Sequence, residues 1–244
     1  MSTGRSRVTA QALREINVNQ KQELGQLTED RNGSVYVYGK AGASNLSAGK
    51  LSVAEAIVAD HTTMSAQAAA SIGATQIKVT LGATAATADQ YTDGFAVISD
   101  GTGKGIMYQI ASHGAAALST TLTLNLYDPL TVALVATTSK VSLIKNPAKD
   151  VIESTTISKA VGVPNVAVTA AYFGWFQKTG VASVLADGAV TKGNNVIQSG
   201  GTAGAVKAFT DSTAASTDLQ EIVGVANELL VTTKYHAVSL HIGA

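Results

Sequence analysis

Tyr36-Val37-Tyr38-Gly39-Lys40-Ala41-Gly42 and Tyr172-Phe173-Gly174-Trp175-Phe176-Gln177-Lys178-Thr179-Gly180 read as imperfect copies of one another, and together they hold six of the twelve aromatic residues. Each continues alike. Leu46-Ser47-Ala48-Gly49-Lys50-Leu51 follows the first, and Leu185-Ala186-Asp187-Gly188-Ala189-Val190 the second. Aromatics two residues apart share one face of a pleated strand, and a glycine two residues beyond the lysine offers the positive φ of a tight turn. The pattern predicts one β unit used twice. If the copies share a core, Tyr38 and Trp175 lie close together.

Between the copies the texture is that of short strands. Ile77-Lys78-Val79-Thr80-Leu81 alternates; Phe95-Ala96-Val97-Ile98-Ser99 runs through Asp100-Gly101-Thr102-Gly103-Lys104-Gly105 into Ile106-Met107-Tyr108-Gln109-Ile110, a hairpin. Thr121-Leu122-Thr123-Leu124 alternates at period two up to Asp128-Pro129, and Lys140-Val141-Ser142-Leu143-Ile144 stops at Asn146-Pro147. These spacings predict a small barrel or sandwich. Only Met64 to Ile72, rich in alanine with Met64, Ala68 and Ile72 at helical spacing and Gly73 as a stop, predicts a short helix. After the second copy, Asn195 to Gln198, Gly204 to Phe209, Glu221 to Ala226 and Ala237 to Ile242 read as strands, and Ser212 to Thr217 as a loop of small residues.

Residues 1–34 differ: nine charged residues fall between Arg5 and Arg31, and aromatics are absent. This stretch reads as an N-terminal arm, either a disordered tail or a segment that orders on a neighbouring subunit. The expected organisation is therefore an arm over 1–34, a discontinuous β domain of 35–58 plus 148–244, and an inserted barrel-like module over 59–147. The expected fold class is all-β, with barrel or sandwich modules and at most one or two short helices.

Only 14% of residues are charged, against about a quarter in an average soluble protein. Seventeen basic residues balance seventeen acidic ones, so no net field gathers nucleic acid or an anionic bilayer. Such neutrality does little to keep copies apart and suits an assembling protein. Cysteine is absent, which excludes disulfides and thiolate metal sites. Ser2-Thr3-Gly4-Arg5-Ser6-Arg7 carries no apolar run, and no segment approaches about eighteen uninterrupted apolar residues. The expectation is a protein made in a cytosol that stays soluble.

Each catalytic motif fails on context. In Gly101-Thr102-Gly103-Lys104-Gly105 the lysine is followed by glycine and a strand, whereas a phosphate-binding loop needs Ser or Thr and a helix. His61, His113, His236 and His241 form no HExxH pattern, and a structural or surface role fits each. Asp60-His61 has no GxSxG serine to complete a triad. Asp89, Asp93, Asp100 and Asp128 sit at predicted turns, where Asp bonds its own backbone. Tyr172 to Phe176, with the sole Trp175, reads first as core, and alternatively as a subunit or sugar contact. No catalytic, cofactor-binding or metal-ligating residue is assigned.

The stretch Ile72 to Thr84, then Asp93-Gly94-Phe95 through Gly105 to Tyr108-Gln109-Ile110, then Leu126-Tyr127-Asp128-Pro129-Leu130, resembles virion structural proteins of tailed bacteriophages. Leu185-Ala186-Asp187-Gly188 and Ile222-Val223-Gly224-Val225-Ala226, before a closing Val238-Ser239-Leu240 strand, are similar to phage head decoration (cement) proteins. The likeness covers most of the chain after Val35 and rests on turn and strand patterns. It implies a β-rich, commonly trimeric protein, located on the virion and made in the host cytoplasm. Such a protein binds the outside of an expanded head and clamps adjacent capsomers. The implied partners are the major capsid protein and, through the N-terminal arm, neighbouring decoration subunits, with no nucleic acid, membrane or cofactor. Many such proteins are much shorter, so the central module would be an addition. The alternatives are a tail or receptor-binding structural protein, and a glycan hydrolase on a β scaffold using a carboxylate such as Asp60 or Asp187.

Overall fold

The computed structural model describes residues 8–210 and 220–243; the predicted loop at Ser212 to Thr217 and the first seven residues of the predicted arm lie outside them. Strands account for 41% of the described residues and helix for 3%, so the fold is all-β. In chain order the first strands are β1 (Leu27–Glu29), β2 (Val35–Lys40) and β3 (Ser52–Val53). Next come β4 (Met64–Ser65), β5 (Gln76–Thr80), β6 (Phe95–Asp100), β7 (Met107–His113), β8 (Thr121–Leu126) and β9 (Lys140–Ile144). The chain continues through β10 (Ala160–Pro164), β11 (Phe173–Gln177), β12 (Thr179–Leu185), β13 (Asn195–Gln198), β14 (Val206–Ala208), β15 (Ile222–Ala226) and β16 (Tyr235–His241). Two compact units result, residues 1–55 with 147–244, and residues 56–146.

In the discontinuous unit one antiparallel sheet runs β1-β2-β11-β10-β3. The two aromatic copies are its central strands. Tyr38 pairs with Trp175, and their rings meet edge to face at 5.0 Å, as a shared core requires. Both faces of this pair are covered. Tyr36, Tyr38, Phe173 and Trp175 cluster on one side with Leu13, while Val37 and Phe176 enter a second cluster with Leu46, Val151, Val161 and Val168. A second sheet runs β12-β16-β15-β13-β14, and a parallel bridge from Ala186 to Val206 links its outer strands.

The predicted arm is corrected by these contacts. Residues 8–34 lie on their own chain: β1 pairs with β2, and Asn17 exchanges backbone hydrogen bonds with Phe173. Leu13 is buried, with Val8 and Leu24 packed beside it. The cause is the aromatic face itself, which would otherwise present four large rings to water.

The second unit is a six-stranded sheet, β4-β9-β6-β7-β8-β5, whose ends meet where Ala66 bridges Val79. That makes a nearly closed barrel. Its strands alternate as read: β5 is buried only at Ile77 and Val79, and β8 turns Leu122, Leu124 and Leu126 inward. The helix expected over Met64 to Ile72 is replaced by β4 and two bridges. Ala66 N–H bonds Ser139, Gln67 N–H bonds Lys78 and Ala70 exchanges bonds with Leu134. Non-local pairing overrides alanine's helix preference here, because small side chains let the barrel close.

One local device recurs in both units. Isolated antiparallel bridges join Leu46 to Val168, Val190 to Leu230, Ala70 to Leu134 and Ala86 to Ala116, and each pair exchanges two backbone hydrogen bonds. Three residues after each bridge residue the backbone takes positive φ, at Gly49, Ala171, Gly193, Thr233, Gly73, Thr137, Asp89 and Ser119. The amide there crosses to a carbonyl shortly before the opposite bridge residue, as in Gly49 to Pro164 and Ala171 to Gly42, or Gly193 to Ala226 and Thr233 to Ala186. Each pair is thus a mutually locked couple of turns with an approximate two-fold relation.

Threonine at positive φ is strained by its branched Cβ. Thr137 and Thr233 are both exposed, so their side chains contribute little to packing. Replacing either by glycine relieves about 1–2 kcal/mol of strain and costs about 0.5–1 kcal/mol of chain entropy. Thr137→Gly and Thr233→Gly are therefore each expected to stabilise by about 0.5–1 kcal/mol, read as a higher urea midpoint at unchanged slope. A lower midpoint would refute the strain argument.

The glycines of the echo do different work. Gly180 has φ +86 as the chain passes from β11 into β12, whereas Gly42 has no positive φ and instead leaves space, since a Cβ there would meet Asp150 O at 3.1 Å. The Leu-x-x-Gly match is also offset. Leu46 is a bridge residue of a locked turn, but its equivalent in the later segment is Val190, ahead of Gly193, and not Leu185.

Candidate functional site

The discontinuous unit carries an open cleft of about 420 Å³ lined by Arg14, Ala48, Gly49, Pro164, Asn165, Ser183 and Tyr235. A locked turn forms its base: Gly49 donates to Pro164 O and accepts from Leu185 N, both at 2.9 Å. No side chain fits at Gly49, where a Cβ would lie 2.8 Å from the Tyr235 ring. The half-exposed ring is thereby backed by main chain.

A buried hydrogen-bond chain sets the orientation of Asn165. Gln177 Nε2 donates to the carbonyls of Thr179 and Val181, so its Oε1 is the acceptor for Tyr36 Oη at 3.3 Å. Tyr36 Oη then accepts from Asn165 Nδ2 at 3.1 Å, which commits the amide nitrogen and leaves Oδ1 as the acceptor that this cleft-lining residue has to offer. Arg14, at the last turn of a 3₁₀ segment (Ala12–Arg14), is exposed and is the one charged residue of the lining.

Burial pushes the Tyr36 phenol above its ordinary value; the Asn165 hydrogen bond opposes this, the Asp30 carboxylate adds to it and the Arg14 charge opposes it. Burial likewise raises Tyr38, against hydrogen bonds from the Lys21 and Gln22 backbone. In both cases folding favours the neutral phenol. Their contribution to stability is complete below the unfolded value near pH 10 and is lost as pH rises through the higher folded values. Stability of this unit is expected to stay level from neutral pH to about pH 9.5 and then fall. Tyr36→Phe with Tyr38→Phe flattens the fall, and an unchanged alkaline limb in urea titrations followed by fluorescence would contradict this origin.

The histidines hold structure. His61 and His113, both buried in the barrel unit, flank Tyr91. His61 Nε2 donates to Thr84 O at 2.9 Å and Nδ1 accepts from Tyr91 Oη. His113 Nε2 accepts Tyr91 N–H at 2.9 Å while Nδ1 donates to Gly114 O at 2.8 Å, so both ring nitrogens are committed. His236 and His241 lie on β16; His236 accepts Val231 N–H and turns its other nitrogen to Glu228. The exposed Glu228 carboxyl titrates below its usual range, chiefly because Ala237 N–H bonds it.

The carboxylates named as hydrolase candidates are tied down separately. Asp60 accepts from Thr84 Oγ1 at 2.6 Å, and Asp187 accepts from the buried Ser199, whose Oγ in turn takes the Gly201 and Thr202 amides. They belong to different units. Asp89, Asp93 and Asp100 bond Thr92, Tyr127 and the Gly101 amide at turns or strand ends. Gly101 to Gly105 is a hairpin tip between β6 and β7, with Gly105 N–H on Ile98 O at 2.8 Å. Trp175 is core, packed in one cluster with Tyr38 and Phe173. Among the described residues no group of three or more His, Asp and Glu could hold a metal ion.

Sequence reading did not find the cleft. Its lining comes from five separate chain segments, and the only local signal was the Leu46 to Gly49 turn. Elsewhere the surface presents apolar turn residues. Ile72 and Leu118, each just before a positive-φ residue, are 69% and 56% exposed, and Val135 and Val231 stand out on other locked turns. The chain matches no protein-family model, and comparison with curated proteins and with solved structures likewise finds no match.

Proposed function

We propose that this chain is a non-enzymatic structural protein of a tailed-phage virion. It binds the outside of the head through the major capsid protein and stabilises it by clamping adjacent capsomers, acting as a homotrimer. The observation that carries this reading is the set of apolar turn residues, Ile72, Leu118, Val135 and Val231, displayed on rigid locked turns of a chain with zero net charge. Adhesion to a lattice needs only weak contacts at each copy, because many of them add through multivalency. Neutrality permits close packing of copies.

The resemblance of the central stretch to virion structural proteins of tailed phages, and of the C-terminal stretch to head decoration proteins, supports the same reading. The test is to add purified protein to expanded heads that lack it, with light scattering of the free protein. Trimers that saturate the heads and raise their resistance to heat are expected. Monomers that fail to bind, or labelling confined to the tail in immunogold images, would overturn the reading.

A further inference from the structure

We infer that the cleft of the discontinuous unit binds an acidic monosaccharide, with Arg14 on the carboxylate, Asn165 Oδ1 and Ser183 Oγ on ring hydroxyls, and the Tyr235 ring against the apolar face of the sugar. Arg14 is the one ionised group of the lining, and no carboxylate of the lining neutralises it, so an anionic ligand is favoured. A phosphate is a poorer fit: such groups are usually held by several donors or by free backbone amides, and the Gly49 amide is already committed to Pro164.

The remaining groups select a sugar. An exposed aromatic face beside an amide acceptor and a hydroxyl matches a ring that is apolar on one face and rimmed with hydroxyl donors. Both recognition elements are held before any ligand arrives. Gly49 backs the Tyr235 ring, and the chain Gln177, Tyr36, Asn165 commits Asn165 Nδ2 to Tyr36, so that Oδ1 is left to accept. Rigid presentation lowers the ordering cost of binding.

The test uses the full chain with methyl glucuronide and methyl sialoside as probes, methyl glucoside and acetate as controls, and saturation-transfer NMR with calorimetry as readouts. At least one acidic sugar is expected to bind about tenfold more tightly than the glucoside, and Arg14→Gln to abolish that difference. Tyr235→Ala should weaken both sugars. Arg14 and Tyr235 are both well exposed, so unchanged circular dichroism is expected for each variant. Failure of both acidic probes, equal affinity of wild type and Arg14→Gln, or acetate binding as well as the sugars would each overturn the inference. Head binding by the same variants is a separate readout, so loss of sugar binding and loss of head binding are distinguishable.

Discussion

Phe176→Ala is expected to destabilise the discontinuous unit by about 3–5 kcal/mol. Phe176 is fully buried among Val37, Ala41, Leu46, Ala148, Val151, Val161 and Val168. The residue lies against two glycines, its ring on Gly39 and its Cβ on Gly162. A Cβ at Gly39 would be 3.0 Å from Phe176 Cε2, and one at Gly162 would be 2.9 Å from Phe176 Cβ. Those strands are held by their ladders to β11 on both sides, so they cannot move in to fill the space. The cavity therefore stays open, which places the cost at the upper end for a lost aromatic. Trp175 is the only tryptophan and is adjacent in the chain, so its fluorescence in urea reports this unit directly. A loss below about 1 kcal/mol would mean that the core collapses freely, against the rigidity argued here.

Gly94→Ala is expected to cost about 3 kcal/mol, the most that one added methyl commonly does in a packed interior. The added Cβ would collide with Ile144 O, lie 2.9 Å from Tyr91 O and 3.1 Å from Asn146 N. Every one of these atoms is main chain. Gly94 itself is pinned, donating to Tyr91 O and accepting from Ile110 N, each at 2.9 Å. No side chain can rotate away to make room. Gly114→Ala is the control, since a Cβ there meets nothing within 4 Å and the backbone lacks a positive φ. It should be neutral or stabilise by up to about 1 kcal/mol through the unfolded chain. Hydrogen exchange across β6 and β9 would separate the two; equal protection in both variants would remove the steric explanation.

Much of the fold was readable. Alternation at Ile77 to Leu81 and at Thr121 to Leu124 found strands because each has one wet face, where a period of two is visible. The hairpin at Phe95 to Ile110 was visible because glycines at 101, 103 and 105 punctuate it. The closeness of Tyr38 and Trp175 followed from the echo, since large rings on matching strands gain most by packing on one another. The errors share a cause. Met64 to Ile72 has helical spacing and alanine's preference, yet its backbone groups are taken by Ser139, Lys78 and Leu134, residues that sequence distance hides. Residues 8–34 looked like a free arm because their apolar groups are sparse; Leu13, Val8 and Leu24 suffice once the aromatic face is there to receive them.

The cleft was not legible for a related reason. Arg14, Gly49, Asn165, Ser183 and Tyr235 carry no motif, and each is ordinary in its own segment. Only the pairing of Leu46 with Val168 and of β12 with β16 brings them to one place.

By itself, then, the sequence determined the all-β class, the position of most strands, the aromatic core and the quiet, neutral surface. These depend on local periodicity and composition, which a single chain displays directly. Tertiary structure alone decided that the turns lock in pairs, that the N-terminal stretch covers its own core, and that a cleft forms at Gly49. Those outcomes rest on backbone hydrogen bonds between residues as far apart as Gly49 and Pro164, and such bonds use N–H and C=O groups that every residue shares.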